Sequence, residues 1–257
     1  MLLPVYSSPP PEIVVVALKS TNSGLNRSSA VTVDVASGAR AVDLVQDLVP
    51  VEQFQPSPDM EATSQPEARV RLIGHSFGGH AFGLLPNHRK VARFYTFATG
   101  AGWHGWMPAL EQWKVKIMWN ILGPLMTRWK GYLAWSKLGM GEDLPLDVYS
   151  DWKRWCSYPR YFFDDPSMGD QVQDLFDDVT TPIVAANATD DLWAPPASRD
   201  AFMAGYRYTD LQSVDIRPQE RGLGAIGHMG YFRRQAQPLW EDALQWFGEY
   251  RKPPLPV

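Results

Sequence analysis

The chain contains a single cysteine, Cys156, among its 257 residues. No internal disulfide is therefore available, which fits a reducing cytoplasm. It has no uninterrupted apolar run of about 18 residues, so no membrane span is expected. The opening Met1-Leu2-Leu3-Pro4 lacks the basic and long apolar regions of a signal peptide, and none is expected. Neither sign of charge dominates: 24 Lys and Arg stand against 28 Asp and Glu, a net charge of -4 with no basic stripe. His88-Arg89-Lys90 is too short to make one, so a nucleic-acid partner is not expected. The sequence also lacks internal repeats, a metal-ligand cluster and a dinucleotide fingerprint. Gly222-Leu223-Gly224 has neither the spacing nor the preceding strand of such a fingerprint, and no cofactor or metal is expected.

What is present is the run Gly74-His75-Ser76-Phe77-Gly78-Gly79, placed after the short apolar stretch Val70-Arg71-Leu72-Ile73 and before a segment that suits a helix. It reads as strand, sharp turn and helix with a serine at the apex, the G-x-S-x-G nucleophile elbow. A turn this tight strains the serine backbone and brings the flanking chain very close, which Gly74 and Gly78 permit because they carry no Cβ. The geometry exposes the Ser76 hydroxyl and aims the Phe77 amide N–H at the place where a carbonyl oxygen would become negatively charged.

A serine hydroxyl near neutral pH needs a base, usually a histidine held by a carboxylate. Of the five histidines only His228, in Gly227-His228-Met229-Gly230, lies far downstream, among small residues that suit a loop approaching another loop. The acid should stand between the two, just past a strand. Residues 182–188, Pro-Ile-Val-Ala-Ala-Asn-Ala, read as a buried strand, and Thr189-Asp190-Asp191-Leu192-Trp193-Ala194-Pro195-Pro196 reads as the loop after it. Two adjacent carboxylates leave the assignment open.

In that order GHSFGG, TDDLWAPP and GHMGYFRR resemble the α/β-hydrolases, in particular a bacterial group with a tryptophan-rich cap; 141–145 and 149–156 resemble that group too. The likeness covers about residues 67–250. It implies a mostly parallel sheet flanked by helices, an inserted helical cap, and a serine hydrolase acting on an ester or related acyl bond of a small, apolar substrate. It further implies Ser76 as nucleophile, His228 as base and the Phe77 amide as one oxyanion donor. For the acid it favours Asp191 over Asp190, because Asp191 stands four residues before Pro195, as in the related pattern D-x-x-x-P.

Residues 1–66 do not follow that pattern. They hold only Tyr6 and Phe54 of the aromatic residues, and all 11 tryptophans fall at or after Trp103. A region so poor in large apolar side chains buries little area per residue. Glu12 to Leu18 reads as a strand and Ala41 to Leu48 as a short helix. No His-Gly precedes Ser76 to supply a second oxyanion N–H. Two readings stand: a divergent but folded half-sheet, or an amino-terminal part that is missing or replaced. Losing one oxyanion donor costs a serine hydrolase about 2.7–4 kcal/mol of transition-state stabilisation, so the alternative function is a catalytically impaired hydrolase-fold protein that at most binds apolar ligands.

Between a strand at Val91 to Ala98 and the strand at Ile183 lie about 80 residues, where a plain crossover needs only a helix. Eight tryptophans run from Trp103 to Trp155, and an inserted cap is expected. The division is thus 1–66 atypical, 67–102 core with the elbow, 103–180 cap, and 181–257 core with the acid and histidine loops. Leu110, Trp113, Ile117, Ile121 and Leu125 recur at helical spacing and mark one apolar face, which Gly123-Pro124 would bend or end. The rings have three readings: packing of cap onto core, which is preferred for most of the tryptophans; walls of an acyl pocket; or a membrane-surface helix flanked by Lys114, Lys116, Arg128 and Lys130. Helices are expected over Pro196 to Gly205 and Gln235 to Tyr250, with a last strand over Leu211 to Arg217.

Overall fold

Among the described residues, runs of β-branched and aromatic residues form the strands of a five-stranded sheet, in which every neighbouring pair is parallel. A computed structural model describes residues 13–16, 70–134 and 143–248. The readings made for the other positions, including the helix at Ala41 to Leu48, the tail after 248 and Trp135, lie outside the described residues. The strands are β1 (Ile13–Val16), β2 (Val70–His75), β3 (Val91–Phe97), β6 (Ile183–Ala188) and β7 (Leu211–Ile216), in the order β1-β2-β3-β6-β7. Two further two-residue strands, β4 (Tyr132–Leu133) and β5 (Leu144–Pro145), pair antiparallel in a separate ribbon. The segment expected as a strand at Glu12 to Leu18 supplies β1, whose register sets Val16 beside Gly74, two residues before Ser76.

Side chains alternate across a strand, and here the alternation builds two cores. Leu72, Phe94, Ile183 and Ala185 face one way and pack with Phe82, Phe162, Phe176 and Phe202. Ile73, Tyr95, Val184 and Ala186 face the other way and pack with Ile226, Leu239, Ala243 and Phe247. A strand covered on both faces has no wet side, which is why β6 is buried at every residue. By contrast β7, last in the order of the described strands, exposes its three polar residues, Gln212, Ser213 and Asp215.

The helices are α1 (Phe77–His80), α2 (Ala109–Ile117), α3 (Gly123–Lys130), α4 (Leu146–Trp155), α5 (Gly169–Asp177), α6 (Pro196–Met203) and α7 (Gln237–Trp246). In α5 the pair Val172 and Phe176, four residues apart, turns inward against the first core. In α7 Leu239 and Ala243 do the same against the second. Gly123-Pro124 does not end the helix. A π turn, Met118–Leu122, joins α2 to α3, and Gly123 N–H bonds back to the Met118 carbonyl. The next bond in that pattern would come from Pro124, which has no N–H. The Tyr149 hydroxyl donates to the Trp119 carbonyl instead, at 3.1 Å, and its ring occupies the space a side chain at residue 123 would need.

The apolar stripe itself does not pack onto the core. Leu110, Trp113, Ile117, Ile121 and Leu125 all face outward. The inward side of the same helical stretch is Val115, Met118, Trp119 and Thr127. The core packing preferred for most of the tryptophans holds for Trp119 and Trp155, which are buried, and for Trp106 and Trp152, which pack partly buried against the first core, whereas Trp113 and Trp129 are exposed. No described helix is long and apolar enough to cross a membrane.

Candidate active site

Ser76 ends β2 and opens α1 with φ 52° and ψ -116°, a backbone conformation that side chains seldom adopt. Its N–H bonds to the Phe97 carbonyl of the neighbouring strand at 3.0 Å, and its own carbonyl accepts from Gly79 N–H at 2.9 Å, so sheet and helix both fix the turn. A Cβ at Gly74 would lie 2.9 Å from the Gly78 carbonyl oxygen and 2.9 Å from the Phe94 ring. Gly79 is more crowded still, against the hydroxyls of Thr96 and Thr99. Phe77 is the first residue of α1, where N–H groups have no intrahelical partner.

The structure brings the separated residues together. His228 Nε2 lies 3.0 Å from Ser76 Oγ, and His228 Nδ1 lies 3.0 Å from Asp191 Oδ2 and 3.2 Å from Oδ1. Asp191 is fully buried in the loop after β6. Its Oδ1 also accepts the N–H groups of Trp193, at 2.9 Å, and Ala194, at 3.0 Å, so the loop winds around its own carboxylate. Of the two adjacent aspartates, Asp191 is thus the one that meets the imidazole.

Asp190 meets the same loop elsewhere. Its two oxygens accept the backbone N–H of Ile226, at 2.9 Å, and of Gly227, at 3.1 Å. Gly227 has φ 54°, in the left-handed region that glycine tolerates, and it turns the chain into His228. On the far side, the buried His75 ring donates from Nε2 to the His228 carbonyl at 2.8 Å. Burial, aided by the neighbouring His228 ring, lowers the His75 pKa from 6.5 to about 4, so the imidazole is neutral and its proton sits on Nε2. His75 thus ties the end of β2 to the histidine loop.

Two further side chains tie the loops to the sheet: Tyr231, inside the GHMGYFRR run but given no role by it, and Asn187, outside every motif. The Tyr231 hydroxyl accepts the Ala188 N–H at 2.7 Å, joining the histidine loop to the end of β6. Asn187 Nδ2 donates to the carbonyls of Ala194, at 2.7 Å, and Thr99, at 3.1 Å, joining the acid loop to the segment after β3. A buried asparagine within the apolar run 183–188 was the one available signal, because such a group needs partners. Among the described residues, no cluster of three or more His, Cys, Asp or Glu side chains is placed to hold a metal ion.

No protein-family model matches the chain, and no curated protein sequence does. Several solved structures are similar to it. The monoacylglycerol lipase of Paleococcus ferrophilus is 12% identical over 69% of this chain and 67% of its own, with a TM-score of 0.39. The acylaminoacyl peptidase of Pyrococcus horikoshii is 12% identical over 82% of this chain, with a TM-score of 0.45, and the match spans only 29% of the peptidase's length. The esterase domain of a Rhodothermus marinus protein is 13% identical over 68% of this chain and 57% of its own, with a TM-score of 0.36. The fold itself is carried by the parallel strand order and by the strained serine between β2 and α1. The chain thus has an α/β architecture, a parallel sheet packed on both faces, with a strained serine turn between β2 and α1.

Proposed function

We propose that this chain is a serine hydrolase that cleaves an ester or related acyl bond through an acyl-enzyme. The observation that carries the reading is the unbroken hydrogen-bonded line from Ser76 Oγ through both nitrogens of His228 to Asp191. In this reading His228 Nε2 takes the hydroxyl proton as Ser76 Oγ attacks the carbonyl carbon. Asp191 keeps Nδ1–H pointed at its carboxylate and offsets the charge of the imidazolium as it forms. The Phe77 N–H stabilises the tetrahedral oxyanion. His228 then gives the proton to the leaving group, and a water activated by the same nitrogen clears the acyl group and restores Ser76.

A small, apolar acyl substrate is favoured by the aromatic surroundings, including the Trp193 ring 6.3 Å from the His228 ring. We read residues 103–180 as the cap over the site. A cytoplasmic setting is supported by the lone, buried Cys156. The completeness of the hydrogen-bonded line favours an active enzyme over an impaired relative of the same fold.

The test is labelling with a fluorophosphonate probe, with Ser76→Ala in parallel. Folded wild type is expected to be labelled and Ser76→Ala to remain blank. Unlabelled, monodisperse wild type would remove the hydrolase reading, and labelling that survives in Ser76→Ala would remove Ser76 as nucleophile.

A further inference from the structure

The outward stripe on α2 and α3 is longer than its sequence pattern alone suggested. Leu110, Trp113, Ile117, Ile121, Leu125 and Trp129 are all exposed, from 44% at Ile117 to 86% at Trp129. From Trp113 onward the spacing is four residues at every step. In an uninterrupted α-helix each such step overshoots a full turn by about 40°, so four steps would wind the row roughly 160° around the axis. The π turn at Met118–Leu122 absorbs an extra residue and sets everything downstream back by about 100°. The six side chains therefore stay in one band along the outer face.

Charge follows the band. The stretch Ala109–Lys130 carries Lys114, Lys116, Arg128 and Lys130 against a single acid, Glu111, in a chain whose net charge is -4. Lys116 Nζ stands 5.9 Å from the centre of the Trp113 ring, and Lys130 Nζ stands 5.9 Å from that of Tyr132. Glu111 is engaged by Lys114 at 2.6 Å.

We propose that this outer face of α2 and α3 docks the protein on an anionic lipid surface. Tryptophan and branched aliphatic side chains suit the boundary between headgroups and acyl chains, and lysine and arginine beside them reach the lipid phosphates. A second copy of the chain fits the band less well. A two-fold contact would set cations against cations, and the only acid within the stretch already has a partner. Attachment is peripheral, since no described helix spans a bilayer. The inference is independent of the reading of Ser76.

The test is flotation of the full chain with vesicles of equal parts phosphatidylglycerol and phosphatidylcholine, beside vesicles of phosphatidylcholine alone. Two double variants accompany it, Trp113→Glu with Trp129→Glu and Lys116→Glu with Arg128→Glu. Wild type is expected to float with the anionic vesicles. Binding should fall about tenfold or more on neutral vesicles, in high salt and in each variant, with the thermal midpoint unchanged. Absence of binding by wild type, or undiminished binding by the variants, overturns the proposal. A wild-type dimer that the tryptophan variant splits, without vesicle binding, would put a second copy on this face. A large drop in the thermal midpoint of the tryptophan variant would put the chain's own residues there, and either result also overturns it.

Discussion

Asp190 and Asp191 are neighbours in the chain that grip one loop at two points: Asp191 holds the His228 ring at Nδ1, and Asp190 holds the backbone amides of Ile226 and Gly227. Both are carboxylates on one turn, yet one faces a side chain and the other a main chain. Their substitution should therefore give different kinetics. Asp191→Asn leaves the geometry nearly intact but turns the imidazole toward the wrong tautomer, and kcat for an activated ester is expected to fall about 10⁴-fold. Asp190→Asn keeps one acceptor oxygen for the loop and should cost about 10²-fold or less through misplacement of His228. Equal losses in the two variants would show that the division of roles is wrong.

Asp190→Ala should also lower stability, because two part-buried amide donors lose a charged acceptor. Hydrogen bonds to charged groups are worth about 1.5–3 kcal/mol. The expected reading is a lower urea midpoint with an unchanged slope; an unchanged midpoint would mean that water replaces the carboxylate without cost.

Acid should weaken the fold before the carboxylates titrate. Burial lowers the pKa of His75, and of His80 near the elbow, from 6.5 to about 4. Unfolded chain takes up protons on both imidazoles below about 6.5, while folded chain keeps them neutral down to about 4. Their contribution is complete above 6.5 and is lost as pH falls through that window, on the order of 3 kcal/mol from each. Urea midpoints at pH 7 and pH 5 check this. The difference between them should shrink in His75→Gln and His80→Gln, and a midpoint that does not move with pH in wild type would refute the assignment.

Gly79→Ala should damage the elbow although alanine is the better helix former. The new methyl group would press into the Thr96 and Thr99 hydroxyls, which hydrogen-bond each other. Overpacking of this kind costs about 1–3 kcal/mol or more. A Gly79→Ala variant with an undiminished thermal midpoint would mean that the two threonines can move aside.

Arg199 offers a test of how buried charge behaves here. Its guanidinium is buried and binds Asp200 and Asp215 at 2.8 Å each, along with the Val214 carbonyl, while both carboxylates remain partly solvated. Removing the arginine leaves two wetted acids; removing both acids leaves a buried cation. The double variant Asp200→Asn with Asp215→Asn is therefore expected to lose about 3–5 kcal/mol, more than Arg199→Met. The reverse order in chemical denaturation would contradict that account.

The elbow, the strands and the order of serine, acid and histidine were legible because each depends on short-range pattern. Ser76 is marked by glycines that a tight turn requires, and β6 by an apolar run of the length a buried strand takes. The outward stripe was legible as a helical face but not as an exposed one. Periodicity reports which side chains share a face, not what lies opposite it. Here both the stripe and the reverse side, with Val115, Met118 and Trp119, are apolar, and only packing decided which of them turned inward.

By itself, then, the sequence determined the strand, turn and helix around Ser76 and the buried strand before the acid loop, because backbone sterics and residue pattern act over a few positions, while the parallel sheet was what the family resemblance implied. Only the tertiary structure decided that Asp191 rather than Asp190 meets His228, and that His75 bonds to a carbonyl 153 positions away. Those choices depend on which loops arrive at the same end of the sheet. A loop's hydrogen bonds are fixed by partners brought to it through the fold, not by its neighbours in the chain.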